Sequence, residues 1–395
     1  KRGRAESHRS IERKGVSKQR VNKIGINLLW MVPGVVGGSE TYTARLLSGL
    51  AERSTTFDYT IFAVPQFADA HPELAKTFKT AYAPVSGQWK SFRVAGENSW
   101  LLRECRKRNI NLVHHAGGIV PALHAGRPVL TIHDLQYLYY PEYFTRPKFN
   151  YLKAMVPRSA EAARLILTPS EYSRRTVIER LSIDPSIVVV VPHGISPHER
   201  KQTAADVRQR YGIRERFFLY PAITYPHKNH LVLIEAFTRL VRMHPDVVLV
   251  LTGAKGSMEV RISSEISRRK IGNHVKRLGY VPAADLDALY HEATAMVFPS
   301  RFEGFGAPVL EAMSRSCPVI ASDATSLPEV VGDAGVLVSP DNPEHWAHAM
   351  SDLLENAEAR AGLAKAGVER AWDFTWTKSA DILEESYSHA LETTL

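Results

Sequence analysis

Short apolar runs alternate with amphipathic segments along two consecutive stretches of the chain. In the first stretch the strand-like runs are Lys23–Val32, Tyr59–Pro65, Leu112–His115, Val129–His133, Leu165–Thr168 and Ile187–Val191. In the second they are Phe217–Ile223, Val247–Thr252, Val275–Tyr280, Ala295–Pro299, Pro318–Ser322 and Gly335–Val338. Strands that alternate with helices form parallel sheets covered by helices. The pattern therefore predicts the α/β class, with two doubly wound domains.

The alternation breaks at His193–Tyr211, where prolines and polar residues follow the last strand of the first stretch. We place the boundary near residue 200, so that residues 21–200 form an N-terminal domain and residues 201–370 a C-terminal domain. Residues 371–395 are predicted to form a helix that packs back toward the N-terminal domain. Because ligands of open parallel sheets bind beyond the carboxyl ends of the strands, we expect the site in the cleft between the domains.

The positive charge is concentrated at the start of the chain. The 395 residues carry a formal net charge of +9, and the first twenty, with eight Lys or Arg and two Glu, contribute +6 of it. Residues 1–20 have no hydrophobic period and are predicted to form a disordered basic tail. A protein that binds nucleic acid or lipid through this charge is one hypothesis, although the rest of the chain is nearly neutral.

Composition excludes several classes of protein. The two cysteines, Cys105 and Cys317, cannot supply a disulfide framework or a cysteine-rich metal site. No apolar run approaches the roughly 20 residues of a membrane-spanning helix, and no apolar signal segment is present at the start. We expect a cytoplasmic protein. The aromatic stretch Tyr137–Tyr151, followed by basic residues, indicates either contact with the inner face of a membrane or packing against the N-terminal sheet.

A glycine-rich turn follows the first predicted strand. Gly34, Gly37 and Gly38 precede a helix that we predict to open at Ser39 and Glu40. A strand, a glycine loop and a helix in this order present backbone N–H groups to an anion, so Gly37 and Gly38 are candidates for binding a diphosphate. The spacing matches neither the G-x-G-x-x-G nor the P-loop motif. A tight turn capped by Ser39 is the structural alternative.

Lys228 stands immediately before a predicted amphipathic helix, with Asn229 as the predicted N-cap. A cation there opposes the positive end of the helix dipole, which costs a few tenths of a kcal/mol to about one. The placement becomes favourable if a phosphate binds both the lysine and the helix N-terminus. An exposed loop lysine is the alternative.

Two glutamates flank a glycine-containing loop in the C-terminal half. Glu303 falls on a strand-end loop, and Glu311 falls about one and a half turns into the next helix, at roughly 3.6 residues per turn. Carboxylates accept hydrogen bonds from vicinal hydroxyls, so the pair suits a sugar or a ribose, and Gly304 and Gly306 let backbone N–H groups approach a phosphate. The acid and base of a glycosidase are the competing interpretation, and solvated acids at a helix start are the structural one.

Histidines also lie at the ends of predicted strands. His133, followed by Asp134, can hydrogen-bond a sugar hydroxyl or act as a base. His114 and His115 end another strand, where a functional and a structural role are both open. No His-x-x-x-His or Cys–His cluster occurs, so we predict no metal site.

Four of these segments together resemble glycosyltransferase family four: Pro33–Glu40, Thr131–Asp134, Pro226–Asn229 and Pro299–Glu311. Further short matches are Thr168–Ser170, Val191–Gly194, Gly279–Val281 and Ala321–Asp323. The resemblance covers about residues 21–390. It implies the GT-B fold, in which two facing Rossmann-like domains flank a deep cleft and a C-terminal helix crosses between them.

The resemblance also implies a role for each candidate residue. The C-terminal domain would bind a nucleotide-sugar donor, with Lys228 at the diphosphate and Glu311 at the nucleotide ribose. Glu303 would bind the transferred sugar, and His133 would hydrogen-bond that sugar near the reacting carbon.

Two loops would complete the donor site if the resemblance holds. The backbone of Gly304, Phe305 and Gly306 would contact the donor, and Gly37 and Gly38 would close over its phosphates. Similar family members retain the anomeric configuration and need neither cofactor nor metal, because the diphosphate leaving group assists deprotonation of the acceptor hydroxyl. The electrostatic contribution of the protein would be to stabilise that leaving group.

One departure from the family concerns the donor phosphates. The family often has a Gly-Arg pair shortly before the lysine, whereas Ala222 and Ile223 take these positions here. Either His227 or Arg301 replaces the missing cation, or the donor pocket has another shape, as in members that resemble bacterial mannosyltransferases. This similarity indicates GDP-mannose as the donor, a glycan or lipid-linked acceptor, and no nucleic-acid partner.

Three alternatives stay open at this point. A UDP-sugar-dependent glycosyltransferase would use the same fold with a different donor. A sugar-nucleotide epimerase would consume the donor without an acceptor. A non-enzymatic lipid-binding or nucleic-acid-binding protein would lose its binding when residues 1–20 are deleted.

Overall fold

The computed structural model describes residues 21–33, 37–85, 87, 89–196 and 204–392. The predicted tail at residues 1–20 and Gly34 of the glycine-rich turn lie outside the described residues. The apolar runs form strands and the amphipathic segments form helices. Together they build two parallel sheets with helices on both faces.

The first sheet contains β1 (Lys23–Leu28), β2 (Asp58–Ala63), β3 (Lys79–Tyr82), β4 (Leu112–His115), β5 (Arg127–Thr131), β6 (Leu165–Thr168) and β7 (Val188–Val190). These seven strands are parallel in the order β3-β2-β1-β4-β5-β6-β7. All four residues of β4 are buried, as expected for a strand with helices on both sides. The strand order reverses between β1 and β4, which is where such sheets bind ligands.

The second sheet contains β8 (Arg216–Pro221), β9 (Val247–Thr252), β10 (Val275–Gly279), β11 (Ala295–Phe298), β12 (Val319–Ser322) and β13 (Val336–Val338). These six strands are parallel in the order β10-β9-β8-β11-β12-β13. All six residues of β9 are buried. Here the strand order reverses between β8 and β11.

The helices are α1 (Gly38–Ala51), α2 (Phe67–Ala70), α3 (Pro72–Thr77), α4 (Lys90–Gly96), α5 (Leu102–Arg108), α6 (Gln136–Tyr139), α7 (Arg146–Ala162), α8 (Glu171–Leu181), α9 (Ala204–Tyr211), α10 (His230–Met243), α11 (Glu259–Arg268), α12 (Ala283–Glu292), α13 (Ala307–Ser314), α14 (Leu327–Val331), α15 (Pro343–Glu355), α16 (Ala357–Ala371) and α17 (Trp376–Glu392). A π-helix, Glu97–Leu101, joins α4 to α5. None of the helices in the described ranges is long and apolar enough to cross a membrane.

The last helix, α17, returns from the second sheet to the first and packs against α1. A Cβ atom on Gly49 of α1 would lie 2.6 Å from the carbonyl oxygen of Trp376, so glycine lets the two helices approach closely. The Nδ1 atom of His114 lies 2.7 Å from the Tyr387 hydroxyl and its Nε2 atom lies 2.7 Å from the Thr131 hydroxyl. His114 is therefore a structural residue that holds α17 against the first sheet.

Two connections between the halves run side by side. Ile195 forms a parallel bridge with Thr375, and the Ile195 amide donates to the carbonyl of Phe374 at 2.9 Å. A Cβ atom on Gly194 would overlap the backbone of Trp376, so glycine is needed where the connections cross. The predicted boundary near residue 200 falls within 197–203, outside the described residues, and stays a prediction.

The α/β architecture of two facing parallel sheets and a C-terminal crossover helix confirms the predicted fold class. The sequence predicted each described strand except β3. This strand lies at the sheet edge, and only Ala81 of its four residues is buried, so it lacks the apolar run that marks the others.

Candidate functional site

The loops at the carboxyl ends of the two sheets meet in one cleft. Gly304, which follows β11, presents its carbonyl oxygen to the hydroxyl of Ser170 at 2.6 Å and lies 3.1 Å from the hydroxyl of Ser173. The Ser173 hydroxyl also lies 3.0 Å from the carbonyl oxygen of His133, which follows β5. The loops after β5, β6 and β11 therefore form a single site between the two halves.

Lys228 and Glu303 form an ion pair at the point where the strand order of the second sheet reverses. The Nζ atom lies 2.5 Å from Oε1 of the carboxylate, and the two side chains are 17% and 13% exposed. The Lys228 carbonyl accepts a hydrogen bond from Tyr220, and the ammonium lies 5.2 Å from the ring centroid of Phe298. The site thus places a cation, a group able to bind a phosphate, next to a carboxylate, a group able to accept hydrogen bonds from hydroxyls.

The loop Gly304-Phe305-Gly306 leaves no room for side chains at either glycine. A Cβ atom on Gly304 would lie 2.5 Å from the carbonyl oxygen of His133. One on Gly306, whose φ is +104°, would lie 2.5 Å from Cδ2 of Leu327. Only glycine fits at both positions. At Gly304 the backbone lies directly against the opposite domain, whereas at Gly306 it lies against Leu327 of the same domain.

Side chains after β12 hold the same loop in place. The Glu303 amide donates to the hydroxyl of Thr325 at 3.0 Å. The hydroxyl of Ser326 lies 3.0 Å from the carbonyl oxygen of Glu303 and 2.8 Å from that of Phe305. Helix α13 begins directly after the loop, at Ala307. Pro308 carries no N–H, and the Val309 amide donates to the carbonyl of Gly306 at 2.9 Å, so the helix N-terminus contributes mainly the positive end of its dipole to this part of the site.

His133 is a neutral hydrogen-bond acceptor in the cleft. Burial lowers its pKa to about 4, and a hydrogen bond to the carbonyl of Ala116 acts in the opposite direction. Its Nε2 atom is buried and has no partner among the residues that the structure describes. Because the nitrogen that bonds a carbonyl must carry the proton, Nε2 is free to accept a hydrogen bond from a sugar hydroxyl.

Asp134 belongs to the same electrostatic environment as the ion pair. Burial raises the pKa of its carboxyl, the backbone N–H of Gln136 lowers it, and the nearby charges of Glu303 and Lys228 act in opposite directions. The Gln136 amide donates to Oδ1 at 2.9 Å. The sequence marked Asp134 only as the neighbour of His133, whereas the structure brings it to the Lys228–Glu303 pair.

Glu311 lies in the second turn of α13, as predicted. Burial raises the pKa of its carboxyl, and the charge of Arg315 lowers it. Oε2 lies 3.5 Å from the hydroxyl of Tyr290. The charge of Arg45 on α1, across the cleft, also lowers the pKa of Glu311, but less strongly. The buried carboxyl is thus available to bind a polar group such as a ribose hydroxyl.

Gly37 and Gly38 lie at the start of α1. Gly37, with φ of +76°, is the N-cap, the helix begins at Gly38, and no side chain caps it. The helix therefore starts one residue before the predicted Ser39, and the structural alternative of a turn capped by Ser39 does not hold. Within the described ranges, a Cβ atom at either glycine would meet nothing within 4 Å. This space would let the backbone at both glycines approach an anion, and the diphosphate hypothesis stays a prediction.

His193 is a residue of this site to which the sequence analysis gave no role. Its ring stacks on Phe305 with centroids 4.6 Å apart and planes at 10°, and it contacts Tyr42 at 4.5 Å. Tyr42 in turn packs edge-on against His133 at 5.2 Å. The match at Val191–Gly194 marked the segment, but the stacking depends on how the two halves face each other.

The structure shows what stands in place of the Gly-Arg pair of the family and what became of its two expected substitutes, His227 and Arg301. Ile223 is 37% exposed. Burial and the charge of Lys228 lower the pKa of His227 to about 4, so this side chain is neutral. The guanidinium of Arg301 binds the carboxylate of Asp341 at 2.6 Å. Of the two expected substitutes, only Arg301 carries a charge, and it is held by an acid.

The aromatic stretch Tyr137–Tyr151 packs mostly within the protein. Tyr137 is 3% exposed, and the rings of Tyr140 and Tyr143 stack at 5.0 Å. Tyr139 and Tyr140 contact Phe302 of the second half. Tyr151, 43% exposed, is an exception. The packing interpretation therefore holds for most of these rings.

The next question is whether side chains in the described part of the chain could bind a metal ion. No group of three or more His, Cys, Asp or Glu side chains is placed to hold an ion there. Cys105 and Cys317 are both buried and free, and burial raises the pKa of each thiol to about 12.

The fold and the site together define a glycosyltransferase of the GT-B class, with a cation, carboxylates and a helix N-terminus in a cleft between two doubly wound domains. Residues 36–199 match Glycosyltransferase Family 4, and residues 205–370 match Glycosyl transferases group 1. O-antigen chain mannosyltransferase B of Escherichia coli is 31% identical over 284 residues, which cover 70% of this chain and 73% of that protein. The chain belongs to glycosyltransferase family four.

Other relatives differ in the acceptor that their names give. O-antigen chain mannosyltransferase RfbU of Salmonella typhimurium is 25% identical over 276 residues, 70% of this chain and 71% of that protein. A D-inositol 3-phosphate glycosyltransferase of Corynebacterium aurimucosum is 27% identical over 332 residues, 80% of this chain and 74% of that protein.

Solved structures of low sequence identity share the fold. Sucrose-phosphate synthase from Thermosynechococcus elongatus superposes with a TM-score of 0.75 at 20% identity, covering 93% of this chain and 98% of that one. Anabaena HepE in complex with UDP and glucose superposes with a TM-score of 0.73 at 19% identity, covering 93% and 100%. These likenesses confirm the predicted GT-B fold.

The pH dependence of transfer is expected to show no ionisation of His133 between about pH 6 and 8. Because burial holds its pKa near 4, below the usual value near 6.5, the imidazole is neutral in this range and gains its proton only as the pH falls through about 4. Profiles of kcat/KM against pH for the wild type and His133→Asn check this. An inflection near pH 6.5 that only the wild type shows would contradict it.

Proposed function

We propose that this glycosyltransferase transfers a mannosyl residue from GDP-mannose to a hydroxyl of a glycan or lipid-linked acceptor. The observation that carries the proposal is the Lys228–Glu303 pair, 2.5 Å apart, beside the N-terminus of α13 and opposite His133. The O-antigen chain mannosyltransferases among its relatives support mannose as the transferred sugar.

Charge stabilisation of the diphosphate leaving group is the main chemical contribution of this site. Lys228 and the positive end of the α13 dipole would stabilise the negative charge that develops as the sugar leaves. The backbone at Gly37 and Gly38, where no described atom lies within 4 Å of a Cβ position, would approach the same phosphates from the other domain. With these groups in place, the reaction as proposed needs no metal.

The remaining residues would orient the two sugars. Glu303, released from Lys228 when the phosphates bind, would accept hydrogen bonds from hydroxyls of the transferred mannose. Nε2 of His133 would accept one from the same sugar, and Glu311 would bind the ribose. By its likeness to the family, the reaction retains the anomeric configuration, with the leaving diphosphate deprotonating the acceptor hydroxyl.

A panel of nucleotide sugars tests the donor directly. GDP-mannose at about 100 times its Kd should stabilise the protein by about 2.7 kcal/mol, visible as a higher melting temperature, and chelation of divalent cations should not remove the effect. Nuclear magnetic resonance of the product should show the α-anomer of the donor. Stabilisation by UDP-sugars alone, a requirement for added metal, or inversion would overturn the corresponding part of the proposal.

An anionic lipid surface is the second partner that we propose. Trp89 and Phe92, at the start of α4, are 66% and 65% exposed, which is unusual for large apolar side chains. Tyr151 on α7 is 43% exposed. The cations of these two helices are Lys90, Arg93, Arg146, Lys148, Lys153 and Arg158, and their one acid is Glu161. Exposed aromatics among cations suit an anionic bilayer.

Vesicle binding is expected to weaken by about tenfold in the variant Trp89→Ser/Phe92→Ser, because two apolar anchors are lost. Cosedimentation with vesicles containing phosphatidylglycerol measures this effect, and high salt should weaken binding as well. The control is Met243→Ser, which removes another apolar side chain with 59% exposure on the second half. Equal binding of both variants, or no binding by the wild type, would contradict the proposal.

A further inference from the structure

A cavity of about 370 Å³ opens at the carboxyl ends of β8, β9 and β10, next to the Lys228 loop. Its size falls in the range of small-molecule sites. Its lining includes one carboxylate, Glu259, one histidine, His230, and the loop that contains Gly253. None of the roles discussed above uses these residues.

Close backbone contacts give the cavity its shape. Gly253 has φ of +118°, and a Cβ atom there would lie 2.7 Å from the carbonyl oxygen of Ala222. A Cβ atom on Gly256 would lie 2.7 Å from the carbonyl oxygen of Thr224. Two glycines thus let the loop after β9 pack directly on the loop after β8.

His230 places an unpaired acceptor in this wall. The residue is 3% exposed, and its ring packs on Tyr220 with centroids 4.6 Å apart. One ring nitrogen bonds the carbonyl of Ala222, and Nδ1 is buried without a partner among the described residues. The nitrogen that bonds the carbonyl carries the proton, so Nδ1 has a lone pair and no hydrogen. Burial, followed by the charge of Lys228, lowers the pKa of His230 to about 3, which keeps the ring neutral.

Glu259 supplies a second, fixed acceptor. Its Oε2 atom accepts a hydrogen bond from the hydroxyl of Thr224 at 3.2 Å, and its Oε1 atom binds Arg277. The Thr224 hydroxyl is itself held by the amide of Gly256 at 2.6 Å. A carboxylate has about four lone-pair sites, so both oxygens can still accept hydrogen bonds from a ligand.

We infer that this cavity binds the base of the nucleotide-sugar donor and that His230 and Glu259 select guanine. The inference rests on the proposed transferase function and gives the donor its base. Guanine carries two adjacent donors, the N1–H and the 2-amino group, which match two acceptors in the wall. Uracil carries a single N–H between two carbonyl groups and would leave one buried acceptor unpaired, which is unfavourable. Lys255, also in the lining, offers N–H donors of the kind that guanine O6 accepts.

Calorimetric titration of the full chain with GDP, IDP and UDP tests the inference without any variant. IDP is GDP without the 2-amino group. We expect GDP to bind about tenfold more tightly than either IDP or UDP, because hypoxanthine and uracil each carry one N–H where guanine carries two adjacent donors, so each leaves one buried acceptor unpaired. Equal affinities for GDP and IDP, or tighter binding of UDP, would overturn the assignment of guanine while leaving a nucleotide-sugar transferase intact.

His230→Phe keeps a planar ring and removes the acceptor. We expect this variant to bind GDP about tenfold more weakly than the wild type and to bind UDP within threefold of it. His244→Phe, a histidine of α10's C-cap outside the cavity lining, is the matched control and should change neither affinity. If His230→Phe does not fold, Glu259→Gln provides the same comparison. A loss of GDP and UDP affinity in equal proportion would overturn the role of His230.

The failure of this inference can be told apart from the failure of the proposed function. If none of the three nucleotides binds the wild type, both are wrong. If GDP binds with the expected preference but GDP-mannose is not turned over with any acceptor, the base assignment stands and the transferred sugar is wrong.

Discussion

Replacing Lys228 by methionine is expected to lower kcat/KM for mannosyl transfer by about 100- to 1000-fold, the usual loss when one preorganised charge-stabilising group is removed. Methionine keeps most of the side-chain length but removes the ammonium, which lies 2.5 Å from Glu303 and 5.2 Å from the ring centroid of Phe298. The missing charge affects the leaving diphosphate most as the sugar bond breaks, so kcat should fall more than the donor affinity. Steady-state rates and calorimetric donor binding separate the two effects.

The control for this prediction is another lysine ion pair of similar length. Lys79 lies 2.6 Å from Asp58 at the edge of the first sheet, with its side chain 69% exposed. Lys79→Met should leave kcat/KM within twofold of the wild type. Circular dichroism should show both variants folded. If Lys228→Met keeps more than a third of the wild-type kcat/KM, the diphosphate does not bind where we place it.

The fold could be predicted because the strands of both sheets are buried on both faces. In β9 all six residues are buried, and the sequence Val247–Thr252 shows this as an uninterrupted apolar run. The exception, β3, pairs with β2 only at the edge, where two of its four residues are exposed. This strand forms because it pairs with β2, and the residues of β3 alone do not indicate that pairing.

The central part of the site could be predicted for a topological reason. Lys228 and Glu303 are 75 residues apart, and they meet because β8 and β11 are neighbours in one sheet. The carboxyl ends of parallel strands lie at one edge of the sheet, so residues that follow neighbouring strands can be predicted to lie close together. His133 was predicted to lie in the cleft for the same reason, because it follows a strand of the first sheet.

Contacts that cross the cleft could not be predicted in this way. The hydrogen bond from Ser170 to the Gly304 carbonyl joins residues 134 positions apart on different sheets. The stacking of His193 on Phe305 has the same origin. Such contacts depend on the angle and distance between two folded domains, which the period of hydrophobic residues does not determine. For the same reason the sequence singled out Tyr140, which is packed against Phe302, and gave no weight to Trp89, which is exposed.

Gly304→Ala is expected to lower kcat/KM by about 100-fold without unfolding either domain. The new methyl group would lie 2.5 Å from the carbonyl oxygen of His133, a distance that normal contacts do not reach. Because Gly304 and His133 belong to different domains, the clash is relieved when the domains separate by about 1 Å. That shift weakens the contacts of Ser170 and Ser173 with the Gly304 carbonyl and moves His133 away from Glu303. A misplacement of this size can cost about 100-fold in rate.

Donor binding distinguishes this effect from a damaged donor site. Lys228, Glu303 and Glu311 all lie on the second half, so GDP-mannose should bind Gly304→Ala within about threefold of the wild type, whereas small-angle scattering should show a less closed molecule with donor present. The matched control is Gly362→Ala on α16, where a Cβ atom meets nothing within 4 Å among the described residues. That change should leave the rate unaltered and raise the free energy of unfolding by up to about 1 kcal/mol, since alanine favours helix over glycine. A Gly304→Ala enzyme with wild-type activity would mean that the close approach of this loop to His133 plays no part in catalysis.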